Sequence, residues 1–189
     1  MESQMEIHPL TEDRWEDLEF LFSPRGACGG CWCMYWKLTG KEFEAGQGEP
    51  NRLAQNGYVR SGRIPGLIGY VNQVPAGWIA LEPRETYPRL SRSRILAPLD
   101  DKKVWSVTCF FVASKFRNRG LTVDLLRGGI EFAKSRGAVA LEGYPKDTGG
   151  EKAPPVFIYT GTRSAFEKAG FEEKGRRSEK RPIMRYEFE

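Results

Sequence analysis

Hydrophobic positions change their period several times along the chain, and each change predicts an element. Glu6 to His8 begins a short strand. Thr11, Glu12 and Asp13 then supply helix-start chemistry ahead of Trp15, Leu18, Phe20 and Leu21. Thr39 to Glu49 is rich in glycine and charge and reads as a mobile loop, after which Pro50 opens a helix running to about Arg60. Leu53, Ala54 and Tyr58 are the expected apolar side of that helix. Pro65 to Val71 and Gly77 to Leu81 read as two strands joined by the turn Asn72 to Ala76. Val104 to Val112 is the clearest strand. Strict alternation puts Trp105, Val107, Cys109 and Phe111 on one face and Ser106, Thr108, Phe110 and Val112 on the other.

From Asn118 to Arg136 the period becomes helical. Leu121, Leu125 and Phe132 form one stripe, and Val123, Leu126, Ile130 and Ala133 a second, so the helix packs against a sheet and another element. Gly137 is placed to end it. Ala138 to Tyr144 is a further strand, followed by a loop rich in Pro and Gly from Pro145 to Pro155. A short helix from Arg163 to Lys168 ends at Gly170, and Phe171 to Lys174 with Ile183 to Phe188 read as a closing strand pair. The order predicts an α/β fold of mixed, α+β type: a central twisted mixed sheet with helices on both faces, in a single domain over residues 1–189.

Composition narrows the class. With 189 residues, 40% of them hydrophobic, the chain can bury a core without staples. A net charge of +4 is too small to mark a nucleic-acid binder and mildly favours an anionic small molecule. The longest nearly apolar run, Val104 to Ala113, falls well short of the ~20 residues that span a bilayer. The acidic start, Met1 to Glu6, lacks a signal-peptide profile, so a soluble cytoplasmic protein with neither membrane nor nucleic-acid partner is expected. Cys28, Cys31 and Cys33 lie within six residues, with Cys109 far along the chain. Without an export signal they read as thiols, and a zinc site would need a fourth ligand, so no metal is expected. The small residues of this cluster are expected to pack under Trp32, Tyr35 and Trp36.

The strand-loop-helix unit from Phe110 to Leu126 carries the chemistry. Gly120, just before Leu121 and Thr122, lets backbone amides turn toward one point at the positive end of a helix, and Arg117 and Arg119 add charge. An anion would bind there; a plain structural turn is the alternative. The pattern Val112-x-x-x-x-Arg117-x-x-Gly120-x-Thr122 resembles the pyrophosphate loop of the GNAT N-acetyltransferase superfamily. Ser164 to Phe171 resembles its late helix and following strand, and Gly66 to Tyr70 with Pro75 to Trp78 its early hairpin. Cys31-Trp32-Cys33-Met34-Tyr35-Trp36, Pro83-Arg84-Glu85 and Glu142-Gly143-Tyr144-Pro145 are similar to a bacterial subgroup.

The resemblance implies a GNAT acyl-CoA N-acyltransferase fold. Acetyl-CoA, as acyl donor, would lie between the strand ending at Val112 and the strand from Ala138 to Tyr144. Backbone of Phe110, Phe111 and Val112 would meet the pantetheine arm, with one amide polarising the thioester carbonyl, and Arg117, Asn118, Arg119, Gly120, Leu121 and Thr122 would hold the pyrophosphate. A primary amine acceptor would attack directly in a ternary complex, and pairing through sheet edges would give a homodimer by analogy. Two residues depart from the family pattern: Thr122 replaces a small residue, and Phe166 stands where many members carry a Tyr acid. Tyr159 or a water is the substitute acid, and Glu142 the first choice of base, with a salt bridge as its alternative reading. Glu82 is a second base candidate. Cys33, Tyr35, Glu82 and Tyr144 are the expected acceptor-side residues. A CoA-binding regulatory module with little transfer activity is the rival reading.

Overall fold

The computed structural model describes residues 5–23 and 25–189. Residues 1–4, most of the acidic stretch discussed above, lie outside the described residues. Seven strands form one sheet in the order β1-β2-β3-β4-β5-β7-β6. They span Glu6–Pro9 (β1), Gly66–Val71 (β2), Val74–Pro83 (β3), Trp105–Val112 (β4), Ala140–Gly143 (β5), Glu172–Arg176 (β6) and Pro182–Glu187 (β7). Neighbours pair antiparallel except β4 and β5, which run parallel. The helices are Trp15–Phe22 (α1), Gly40–Ala45 (α2), Glu49–Arg60 (α3), Pro88–Arg92 (α4), Leu121–Ser135 (α5) and Arg163–Lys168 (α6).

The two faces carry separate cores. Leu125, Leu126, Ile130 and Ala133 of α5 pack with Ala165 and Phe166 of α6 on Ile79, Leu81, Val107 and Leu141. On the other face Trp15, Leu18 and Phe22 of α1 meet Trp32, Cys33, Trp78 and Cys109. This two-sided arrangement agrees with the mixed sheet that the element order predicts. Among the described residues no helix is long and apolar enough to cross a membrane.

Four expectations change. The β2–β3 turn is shorter than the sequence suggests, because Asn72 and Gln73 both adopt positive φ (51° and 63°) and close a two-residue hairpin. The segment Thr39 to Glu49 is not all loop: the Thr39 side chain accepts from the Glu42 N–H while the Glu42 carboxylate accepts from the Thr39 N–H, a capping box that starts α2. Helix α3 buries Asn51, Gln55 and Val59 rather than Leu53, which is 55% exposed. Finally, β4 does not alternate strictly. Ala80 pairs with Cys109 but Leu81 with Val107, so Thr108 is an extra residue, and the bulge moves Phe110 onto the α5 face with Val107 while Cys109 and Phe111 face α1.

Candidate active site

The bulge is followed by a parting of strands. β4 and β5 pair over Trp105–Val107 against Leu141–Gly143 and then separate. The segment following β5 turns back into the gap. Phe110 N–H donates to the Tyr159 carbonyl at 2.6 Å, and Lys146 N–H donates to the Gly161 carbonyl at 2.9 Å. Tyr159 to Thr162 thus sit between the two strands. Alternation puts Val112 on the same edge of β4 as Phe110, and its carbonyl accepts from Arg117 Nε at 2.9 Å.

Beyond β4 the chain makes a single 3₁₀ turn over Ser114–Phe116 before α5. Asn118 and Gly120 both adopt positive φ, 61° and 80°, with Arg119 between them. Such alternation turns successive N–H groups toward one side and makes a concave anion cradle. Among the described residues, the N–H groups of Asn118, Arg119 and Gly120 have no backbone acceptor. A Cβ placed on Gly120 would meet nothing within 4 Å, so the space above the cradle is open. Arg117 and Arg119 are exposed beside it. The cradle is thus concave, open and flanked by positive charge.

These elements are those of a known architecture, and residues 30–149 match the profile described as the acetyltransferase (GNAT) family. The chain belongs to the GNAT family. Among solved structures, a GNAT acetyltransferase from Streptococcus agalactiae is 17% identical with a TM-score of 0.58, covering 98% of this chain and 96% of that one. PaiA N-acetyltransferase from Thermoplasma acidophilum, in complex with coenzyme A, is 14% identical with a TM-score of 0.54 and coverage of 98% and 99%. The aminoglycoside acetyltransferase AAC(6')-Ib, with ribostamycin and coenzyme A, is 14% identical with a TM-score of 0.56 and coverage of 97% and 93%. No curated protein matches the chain. Similarity at this level establishes the fold, and the family match makes the chain an N-acetyltransferase by class.

Within this GNAT fold the expected residues separate into two groups. Glu142, the expected base, is 1% exposed; Arg185 Nη2 and Nε donate to its Oε1 at 2.6 and 2.9 Å, and Tyr144 Oη donates to Oε2 at 3.1 Å. That geometry corresponds to the salt-bridge reading of Glu142. Tyr144, expected to line the acceptor pocket, is fully buried, with Ser106 Oγ at 2.8 Å and Arg84 Nη1 on its hydroxyl. Its pKa is well above the ordinary phenol value because of burial, reinforced by the charge of Glu142. Arg84 itself is buried, donating also to the Leu90 and Leu96 carbonyls.

Glu82 is likewise withdrawn from the expected acceptor side, at 4% exposure, with Lys37 Nζ at 2.5 Å and Arg63 Nη2 at 2.8 Å. Burial lowers the Lys37 pKa, against the raising effect of Glu82. Cys33 lies in the core behind the site, 3.2 Å from Cys109 Sγ and accepting from Trp78 Nε1 at 3.1 Å. Among the described residues no group of three His, Cys, Asp or Glu is placed to hold a metal ion.

Tyr159 and Tyr35 come together at the mouth, with ring centroids 6.4 Å apart. The pKa of the Tyr159 phenol is pushed up to about 12, chiefly by burial and secondarily by Tyr35. Phe166 is fully buried, ring-to-ring with Phe110 and Phe171. Residues not singled out as acceptor-side in the sequence also meet here. The Arg89 guanidinium stacks 4.0 Å from the Tyr35 centroid, and Phe43 is 5.4 Å from the same ring. The basic stretch from Arg84 to Arg94 marks Arg89 in the sequence, but nothing there separates it from the buried Arg84.

Proposed function

We propose that residues 1–189 act as one acetyl-CoA-dependent N-acetyltransferase domain that moves an acetyl group to a primary amine by direct attack. The observation that carries this reading is the open cradle at Asn118–Gly120, next to the point where β4 and β5 part. The amides of Asn118 to Thr122, with Arg117 and Arg119, hold the pyrophosphate. Val112 meets the pantetheine arm. The Phe110 N–H, also expected to meet that arm, is instead engaged by Tyr159, which puts the Tyr159 backbone beside the donor path. The donor supplies an activated acetyl group as a thioester.

The chain's own residues position the reactants and supply one proton. The acceptor nitrogen bonds the acetyl carbon as the carbon–sulfur bond breaks; the nitrogen's proton leaves to water, because Glu142 and Glu82 are both occupied by cations. Tyr159 protonates the leaving sulfur. The phenol is protonated at neutral pH, as any tyrosine is, and its backbone anchor to Phe110 holds it at β4. Positioning of the two reactants supplies the larger share of the barrier reduction.

The test is release of CoA thiol from acetyl-CoA in the presence of a panel of primary amines, with product identified by mass. Amine-dependent thiol release with an N-acetyl product is expected. Tight acetyl-CoA binding with no turnover on any amine would instead support the regulatory-module reading.

A further inference from the structure

Beside Tyr35 and Tyr159 stand two guanidinium groups that, among the described residues, pair with no acid. Arg89, on α4, is half-buried; its Nε donates to the Leu38 carbonyl at 2.9 Å and its plane lies on Tyr35. Arg181, in the turn before β7, is also half-buried, and its Nη1 donates to the Tyr144 carbonyl and to Thr160 Oγ1, each at 3.0 Å. The electric field of Arg181 reaches the Tyr159 phenol and favours its ionised form, against the dominant effect of burial. Arg89 packs on Tyr35, Tyr35 meets Tyr159, and Arg181 acts on Tyr159, so the four residues are contiguous. Among the described residues neither arginine forms an ion pair, although most other half-buried and buried arginines here do.

Glu82 is taken by Lys37 and Arg63, and Glu142 by Arg185. A partly desolvated guanidinium without a counter-charge is costly to maintain, and each of these two uses some of its five N–H donors on protein and leaves others free. Guanidinium forks match carboxylates in two-point geometry, and aromatic walls suit the apolar body of a small molecule. A polycationic acceptor such as an aminoglycoside would meet like charge here.

Resting on the acetyltransferase reading above, we propose that Arg89 and Arg181 bind a carboxylate on the acceptor, and that the acceptor is a small primary amine that also carries a carboxylate. An α-amino acid is the minimal member of that class. The two arginines are specificity residues, and Tyr35 and Phe43 form the wall on which the rest of the acceptor lies.

The test uses thiol release with matched probes: the protein α-amino acids, β-alanine and γ-aminobutyrate, each against the amine lacking its carboxylate, for instance L-phenylalanine against 2-phenylethylamine. Acetyl-CoA affinity is measured by calorimetry on the same samples. The carboxylate-bearing member is expected to have the higher kcat/KM by about tenfold or more, and Arg89→Met and Arg181→Met are each expected to collapse that ratio through KM. Because the ratio is taken within each variant, partial loss of folded protein cancels. Turnover of the amines alone, turnover of no carboxylate-bearing probe, or a ratio unchanged in both variants would overturn the proposal. So would a loss that falls on acetyl-CoA affinity, since the arginines would then serve the donor. Failure of the wild type to bind acetyl-CoA at all is a different result and defeats the acetyltransferase reading itself.

Discussion

Glu142 and Tyr159 show how neighbours decide what a titratable side chain can do. Glu142 lies in the strand flanking the cleft, which makes it a reasonable base in the sequence, yet its charge belongs to Arg185, 43 residues away. No local pattern announces such a partner, so this part of the site was not legible. Glu142→Gln is expected to destabilise the fold by about 3 kcal/mol, since it removes the buried carboxylate from Arg84 and leaves Arg185 only its more exposed partners Asp100 and Glu187. It should also leave the shape of the pH–rate profile of the surviving enzyme intact. Thermal denaturation and a pH–rate series check both. Tyr159→Phe is the converse case: kcat should fall about 100-fold, the range of a lost general acid, with acetyl-CoA affinity retained. Phe166→Tyr should not restore that acid. The ring is fully buried against Phe110 and Phe171, so a hydroxyl there gains no solvent-exchangeable position and costs stability.

At the scale of elements, legibility followed period and punctuation. Helix α5 carried two apolar stripes and a closing glycine, and it stands nearly where the pattern puts it. Helix α2 was legible in principle through Thr39 and Glu42 but was obscured by the surrounding glycine and charge. Thr39→Ala should cost about 1 kcal/mol in chemical denaturation, the usual value of an N-cap. The β4 bulge was not legible, because an inserted residue shows only against the partner strand, and Thr108 looks like an ordinary polar position until Leu81 is paired with Val107. The cysteine segment has a further consequence of its local burial. Cys28 is exposed, Cys33 and Cys109 are buried, and burial raises the Cys31 pKa to about 11. Iodoacetamide at pH 8 should therefore modify Cys28 first, with the other three reacting after unfolding, as peptide mass mapping would show.

Across the whole molecule, the sheet joins strands from both ends of the chain and opens between β4 and β5, so the donor cradle, Tyr159 and the aromatic mouth are brought together although spread from Tyr35 to Arg181. Sequence order alone predicted a mixed sheet; it could not place the segment around Tyr159 in the gap, since that depends on Phe110 and Lys146 offering N–H groups to it. The buried titratable groups also set an alkaline limit. Cys31 rises from 9.0 to about 11 and Tyr159 from 10.0 to about 12, so in both cases folding favours the protonated form. Their stabilising contribution is complete below pH 9 and is lost as pH climbs through 11 to 12. Denaturation midpoints measured across that window should fall.

Binding of an acyl-CoA diphosphate by the Asn118–Gly120 cradle is decided by calorimetric titration of acetyl-CoA into wild type and Gly120→Glu. The variant should fold, because a Cβ at this position meets nothing within 4 Å and the positive φ costs only about 1–2 kcal/mol. Saturable binding by wild type that is lost in the folded variant is the predicted result. Equal affinity in the two proteins, or no binding by wild type, would contradict it.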